Sequence, residues 1–101
     1  MYMQTMISAK DAIASALRYF TEMYRDAPFK NIRLEEIEMT ADEKEWRITI
    51  GFDNETNVSP LAHEVRSIGG FTPILREYKT LAVSTSTGDV LAMKIRVFGN
   101  T

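Results

Sequence analysis

An α+β domain of order α-β-β-β-β, one N-terminal helix packed on a four-stranded antiparallel meander sheet, is the fold class this sequence predicts. Three observations predict it. Apolar residues recur at helical spacing from Ala9 to Tyr24. Two pairs of alternating runs follow, first around Ile32–Met39 and Trp46–Phe52, then around Tyr78–Val83 and Val90–Val97. Each pair is joined by a short polar turn, as in hairpins. A sheet with one apolar face needs a cover, and the helix supplies it.

The helix is expected over about residues 9–25. Ser8-Ala9-Lys10-Asp11 resembles a capping box with Asp11 in place of glutamate. Ala9, Ala12, Ile13, Ala16, Leu17, Phe20, Met23 and Tyr24 line one side, and Lys10, Asp11, Ser15, Arg18, Glu22 and Arg25 the other. The alanines on the apolar side suit close approach to a flat sheet. Arg25 suits the negative end of the helix dipole, and Ala27-Pro28 ends the helix.

The first hairpin changes phase. Ile32 and Leu34 are even-numbered, Ile37 and Met39 odd, while Trp46, Ile48, Ile50 and Phe52 keep one phase. A bulge at Glu35-Glu36 reconciles them. Met39 then opposes Trp46, Ile37 opposes Ile48, Leu34 opposes Ile50 and Ile32 opposes Phe52. The loop becomes Ala41-Asp42-Glu43-Lys44, and Glu38 faces Arg47 on the outer side. Residues 53–71 form a long connection. Within it, Ser59-Pro60, Leu61, Val65, Ile68 and Gly69-Gly70 read equally as a short helix or an irregular excursion.

The terminal hairpin is the most specific stretch. Leu81, Val83, Leu91, Met93, Ile95 and Val97 are all odd-numbered, so paired numbers must keep them on one face. A three-residue loop, Ser86-Thr87-Gly88, does so and puts Gly88 at the left-handed position. It pairs Thr85 with Asp89, Val83 with Leu91 and Leu81 with Met93. On the other face it pairs Ser84 with Val90, Ala82 with Ala92, Thr80 with Lys94 and Tyr78 with Arg96. The expected core is Ile13, Leu17, Phe20, Tyr24, Ile37, Trp46, Ile48, Ile50, Leu81, Val83, Leu91, Met93 and Ile95.

Size and composition agree. The 101 residues make one domain, 45% hydrophobic and 26% charged, with net charge −2 and no cysteine. That charge argues against nucleic-acid and membrane partners. The first seven residues (an N-terminal tail) lack a basic segment and a long apolar run, and no stretch approaches the ~20 apolar residues of a membrane helix. A cytoplasmic protein is the resulting expectation.

The helix, the Leu34-Glu35-Glu36-Ile37-Glu38 and Trp46-Arg47-Ile48-Thr49-Ile50-Gly51-Phe52 hairpin and the long connection lead to a terminal hairpin. That hairpin runs from Tyr78-Lys79 through Ser86-Thr87-Gly88-Asp89-Val90-Leu91 to Met93-Lys94-Ile95-Arg96. This order resembles the PepSY-type and wider cystatin-like architecture, and a group of short bacterial proteins of uncharacterised function. The resemblance covers most of residues 9–98 and implies a regulatory or inhibitory protein. PepSY domains are thought to restrain peptidases, usually outside the cytoplasm. Cystatins insert a Gln-Xaa-Val-Xaa-Gly hairpin into a protease cleft. The tip Ala41-Asp42-Glu43-Lys44 lacks that motif, so no inhibitory residue is carried over.

Chemistry-bearing constellations are sparse. His63, the single histidine, sits beside Glu64 with no nucleophile placed for it. Residues 31–55 carry a net −5 against +3 for the rest of the chain. Asp42-Glu43 lack the spacing of a calcium loop, and Gly69-Gly70 lack the lysine of a phosphate loop. No catalytic residue, metal or cofactor is assigned. The expected interaction surface, for a protein partner or a homodimer, is the outer sheet face with Tyr78, Thr80, Lys94, Arg96 and Val90, beside Lys79. The alternative is a small-ligand pocket between the helix and residues 53–76, near Tyr24, Trp46 and Phe71.

Overall fold

The structure, a computed structural model, describes residues 5–54 and 76–97. Its elements are α1 (Ala9–Met23), β1 (Phe29–Met39), β2 (Glu45–Asn54), β3 (Arg76–Ser84) and β4 (Val90–Arg96). The strands form one antiparallel sheet in chain order, with α1 packed on β2, β3 and β4. The helix-on-meander architecture is therefore the fold. The segment read as a short helix, with His63, Gly69-Gly70 and Phe71, lies outside the described residues.

Ser8 caps α1 by accepting the Asp11 amide at 3.1 Å, which satisfies one orphan donor of the first turn. Ala12 and Ala16 are fully buried beside Phe20. Two methyl side chains let the helix approach the sheet, and the phenyl ring fills the gap further along. The helix ends at Met23, short of Arg25. The Tyr24 amide still bonds the Phe20 carbonyl at 3.0 Å, and a turn closed by Ala27 N–H to Tyr24 carbonyl, 3.0 Å, redirects the chain. That turn starts β1 at Phe29, earlier than Ile32, and drops Phe29 into an aromatic cluster. Its ring centroid is 4.3 Å from Phe52 and 5.0 Å from Tyr24.

In the first hairpin Met39 opposes Trp46, Ile37 opposes Ile48, Glu38 opposes Arg47 and Leu34 opposes Ile50, with the register shift at Glu35. The bulge and the four-residue loop stand as the sequence predicts. A second shift lies between Lys30 and Arg33. Asn31 there has φ 54°, and Asn31-Ile32 together face Phe52, so the expected one-to-one pairing of Ile32 with Phe52 is replaced by a bulge. β2 also continues through Asp53 and Asn54, which the sequence reading gave to the connection.

The terminal hairpin differs at its turn. From Tyr78–Arg96 to Ala82–Ala92 the register is the expected one, but Val83 then opposes Val90, and a bulge expels Leu91. The loop has four residues, Thr85-Ser86-Thr87-Gly88, closed by Ser84 N–H to Asp89 carbonyl at 2.8 Å and Gly88 N–H to Ser84 carbonyl at 2.9 Å. Gly88 keeps the left-handed position, φ 80°. Thr85 is the cause of the change. It is 4% exposed. Its amide donates to the Lys44 carbonyl at 3.0 Å and its carbonyl accepts from Ile7 at 2.8 Å. Its hydroxyl donates to the Glu43 carbonyl at 2.8 Å. Those three bonds leave its backbone no part in a pair with Asp89.

The core comprises Ala12, Ala16, Phe20, Ile48, Ile50, Phe52, Leu81 and Val83, with Ile13, Leu17, Tyr24, Ile37, Trp46, Val90 and Met93 among the residues packed around it. Two expected core residues are outside it. Leu91 is 57% exposed because of the bulge, and Ile95 is 77% exposed on the edge strand.

Replacing Gly88 by Val should lower stability by about 1 kcal/mol or more, because a β-branched residue resists positive φ. A Cβ there would meet nothing closer than 3.6 Å, so Gly88→Ala reads the backbone strain without a close contact at Cβ. Thr85→Val should cost about 1–3 kcal/mol by removing a buried hydrogen bond. Urea unfolding followed by fluorescence of Trp46, the sole tryptophan, measures both.

Candidate functional site

The side-chain period of two sends alternate residues of each strand to the face away from α1. Across the four strands that outer face reads in rows: Glu38, Arg47, Ala82 and Ala92; then Glu36, Thr49, Thr80 and Lys94; then Arg33, Gly51, Tyr78 and Arg96. On β1 Glu36 and Glu38 are acidic and Arg33 is basic; on β4 Lys94 and Arg96 are basic, and Arg47 stands on β2. Most of the positions between are small, Thr49, Gly51, Thr80, Ala82 and Ala92, the exceptions being Arg47 and Tyr78. The hydroxyls of Thr49 and Thr80 share a hydrogen bond of 3.0 Å, which satisfies a threonine that is only 1% exposed.

Long side chains from the rims fold inward over this floor. The Arg96 guanidinium meets the Glu36 carboxylate at 3.0 Å, although their strands are the two opposite edges of the sheet. The pair forms a bar across a trough. On one side of the bar lies an open groove of about 570 Å³, walled by Glu38, Glu45 and Arg47 and by Lys94 and Arg96, over Thr80, Ala82 and Ala92. Exposed Leu91 and Ile95 reach its β4 lip.

On the other side, Arg76 closes the trough. It bonds Asp53 Oδ1 at 3.1 Å and the Asn31 carbonyl at 3.0 Å, and stands 3.5 Å from Glu35. The Asn31 amide donates to Asp53 Oδ2 at 2.7 Å. This network holds the left-handed Asn31 bulge. Glu35 lies over Gly51, where a Cβ would come within 2.7 Å of its Cγ. Gly51 is thus the position at which the sheet admits an acidic side chain across its own backbone.

Two carboxylates are tuned by these contacts. Asp53 is held below the ordinary aspartate value by the Asn31 amide and then by Arg76. Asp42, in the first hairpin loop, is lowered by the Thr40 hydroxyl at 2.6 Å and then by the Lys44 amide at 3.0 Å. Hydrogen bonds given to the charged form produce both shifts.

The structure sorts the candidate residues. Tyr78, Thr80, Lys94 and Arg96 share the outer face as expected. Val90 does not: its pairing with Val83 turns it to the helix side, where it packs on the core. Lys79 is also on the helix side, its ammonium 5.5 Å from the centroid of Tyr24. Tyr24 and Trp46 do not meet as walls of one pocket. Tyr24 follows the C-terminus of α1, whereas the Trp46 indole donates to the Ile7 carbonyl at 3.2 Å, just before the N-terminus. A helix of that length separates them by about 20 Å. Phe71 lies outside the described residues. Arg47 stands opposite Glu38 on the outer side as expected, whereas Glu36 and Glu45 were not assigned to this surface from the sequence. The signal for Glu36 was present, since the bulge at Glu35 brings Glu36 into phase with Glu38.

Among the described residues no group of His, Asp and Glu side chains is placed to hold a metal ion, and no helix is long and apolar enough to cross a membrane. Comparison of the chain with known protein families, with curated proteins and with solved structures finds no match.

The two aspartates give a pH signature. Their folded pKa values lie below the ordinary 3.8, so the stability they contribute is complete above that value. It is lost as pH falls through the lower folded values. Urea midpoints measured from neutral pH downward should stay level on account of these groups until about pH 4 and then fall. The double variant Asp42→Asn/Asp53→Asn should fall less steeply.

Proposed function

We propose that this chain is a non-enzymatic interaction module of cystatin-like or PepSY-like type, working in the cytoplasm and binding a protein partner through the trough on its outer sheet face. One observation carries the reading: Glu36 and Glu38 on β1 and Lys94 and Arg96 on β4 flank a stretch of mostly small side chains, Thr49, Thr80, Ala82 and Ala92, with Arg47 beside Glu38. Facing rims of opposite sign suit a protein segment bearing both charges, each meeting its complement. Leu91 and Ile95 at the lip add apolar contact area. The small-ligand alternative is the weaker reading. The groove is open, its walls are charged rather than apolar, and Tyr24 and Trp46 stand at opposite ends of the helix.

Affinity capture from the native host, comparing the wild-type chain with Lys94→Glu/Arg96→Glu, tests this. A stoichiometric protein retained by the wild type and by a Lys10→Glu control, and lost by the double variant, is the expected result. Capture of nothing above background, or of a partner indifferent to the β4 charges, refutes the trough as the binding surface.

A further inference from the structure

Glu36 and Arg96 close the outer face on itself, one ladder step apart. Glu36 shares a row with Thr49, Thr80 and Lys94, and Arg96 lies two residues beyond Lys94 on β4. The carboxylate and the guanidinium nevertheless meet at 3.0 Å. Glu38 and Lys94 stand in the same relation one step along the sheet. Glu38 shares a row with Arg47, Ala82 and Ala92, and Lys94 lies two residues beyond Ala92. Both steps fall in stretches of the ladders without a register shift. Yet Glu38 and Lys94 do not pair. With Glu45 and Arg47, they enter none of the ion pairs that join described residues. The groove of about 570 Å³ opens where that second bar would lie, and all four charges line it.

We propose that a partner segment completes the missing bar with two side chains of its own, an acidic one held by Lys94 and Arg47 and a basic one held by Glu38 and Glu45. This gives the charges of the protein segment proposed above for the trough, and it rests on that reading. Glu36 and Arg96 already satisfy each other. The four charges of the groove do not, so a segment of this kind meets a complement at each without breaking a pair. The floor admits the carboxylate. Between Arg47 and Lys94 lie Ala82 and Thr80, whose short side chains leave space above the sheet. Thr49 and Thr80 share one hydrogen bond between two hydroxyls. Thr49 is 1% exposed, and Thr80 lines the groove. With Thr49 as the donor, the Thr80 hydroxyl keeps its hydrogen for an anion above it. Leu91 and Ile95 border the groove on the β4 side, which sets an apolar residue of the segment beside its acidic one.

The full chain applied to an immobilised array of random peptides tests this. Retained peptides should be enriched in sequences that carry both an acidic and a basic residue. Arg47→Gln/Lys94→Gln should lose the acidic enrichment, keep the basic one, and bind the peptides retained by the wild type about tenfold more weakly. Glu38→Gln/Glu45→Gln should do the reverse. A merely structural role for these side chains would weaken binding without splitting the two enrichments. Circular dichroism of each variant checks the fold, and Lys94→Gln alone should move the acidic enrichment in the same direction. An array that retains nothing, or retains peptides of one sign only, overturns the proposal. So does an enrichment that both double variants leave unchanged. If that last result stands beside a native partner whose capture depends on Lys94 and Arg96, the pairing proposed here fails while the trough remains the binding surface. Failure of the capture itself removes the reading on which the pairing rests.

Discussion

Thr85 ties together three parts of the chain that are remote in sequence. Its amide and hydroxyl are given to the Lys44 and Glu43 carbonyls at the tip of the first hairpin, and its own carbonyl receives the amide of Ile7. Ile7 in turn offers its carbonyl to the Trp46 indole. A buried backbone must satisfy its polar groups somewhere, and here one residue satisfies groups on the N-terminal segment and on both hairpins. The tips of the two hairpins are thereby locked against each other, and the entry to α1 is fixed over that end of the sheet.

That lock reshapes β4. With Thr85 held by the other hairpin, the terminal turn closes one step earlier on β3, at Ser84. The Ser84 hydroxyl accepts the Ser86 and Thr87 amides at 3.3 and 3.2 Å, which stabilises the wider turn. A single bulge then restores the register in which Leu81 and Met93 face the helix. Val90, not Leu91, packs against the core. The cost is an apolar leucine turned to the surface, where it lines the same groove as Ile95. A constraint at one end of the sheet thus creates the surface that distinguishes its last strand.

The opposite end is organised by charge and aromatic packing. Phe20, Tyr24, Phe29 and Phe52 stack below the helix C-terminus, while Arg76 and Asp53 hold the Asn31 bulge on the other face. These pairs are partly exposed, so their contribution is one of geometry more than of energy. They keep β1 bent and so blunt one edge of the sheet. They also position Glu35 over Gly51, and Glu36 and Glu38 of β1 face Lys94 and Arg96 of β4 across the sheet.

Local pattern was enough to determine the helix, the four strands, their order and most of their pairing. Period 3.6 marks α1, and period two marks the hairpins. The phase change between Leu34 and Ile37 reveals a bulge, because its partner strand keeps step. Gly88 announces a left-handed residue whatever the loop length. The rows of the outer face follow from those same phases, which is why Tyr78, Thr80, Lys94 and Arg96 could be placed together. The turn that Thr85 imposes was not legible. Its partners lie about 40 and 80 residues away, and a three-residue loop satisfied every local rule. The Asn31 bulge was hidden for the same reason, since Arg76 and Asp53 hold it from strands β3 and β2. The sequence by itself thus determined which residues form strands and which face most of them take. Tertiary structure alone decided where the ladders slip, because slippage is settled by long-range hydrogen bonds competing with local ones for the same backbone groups.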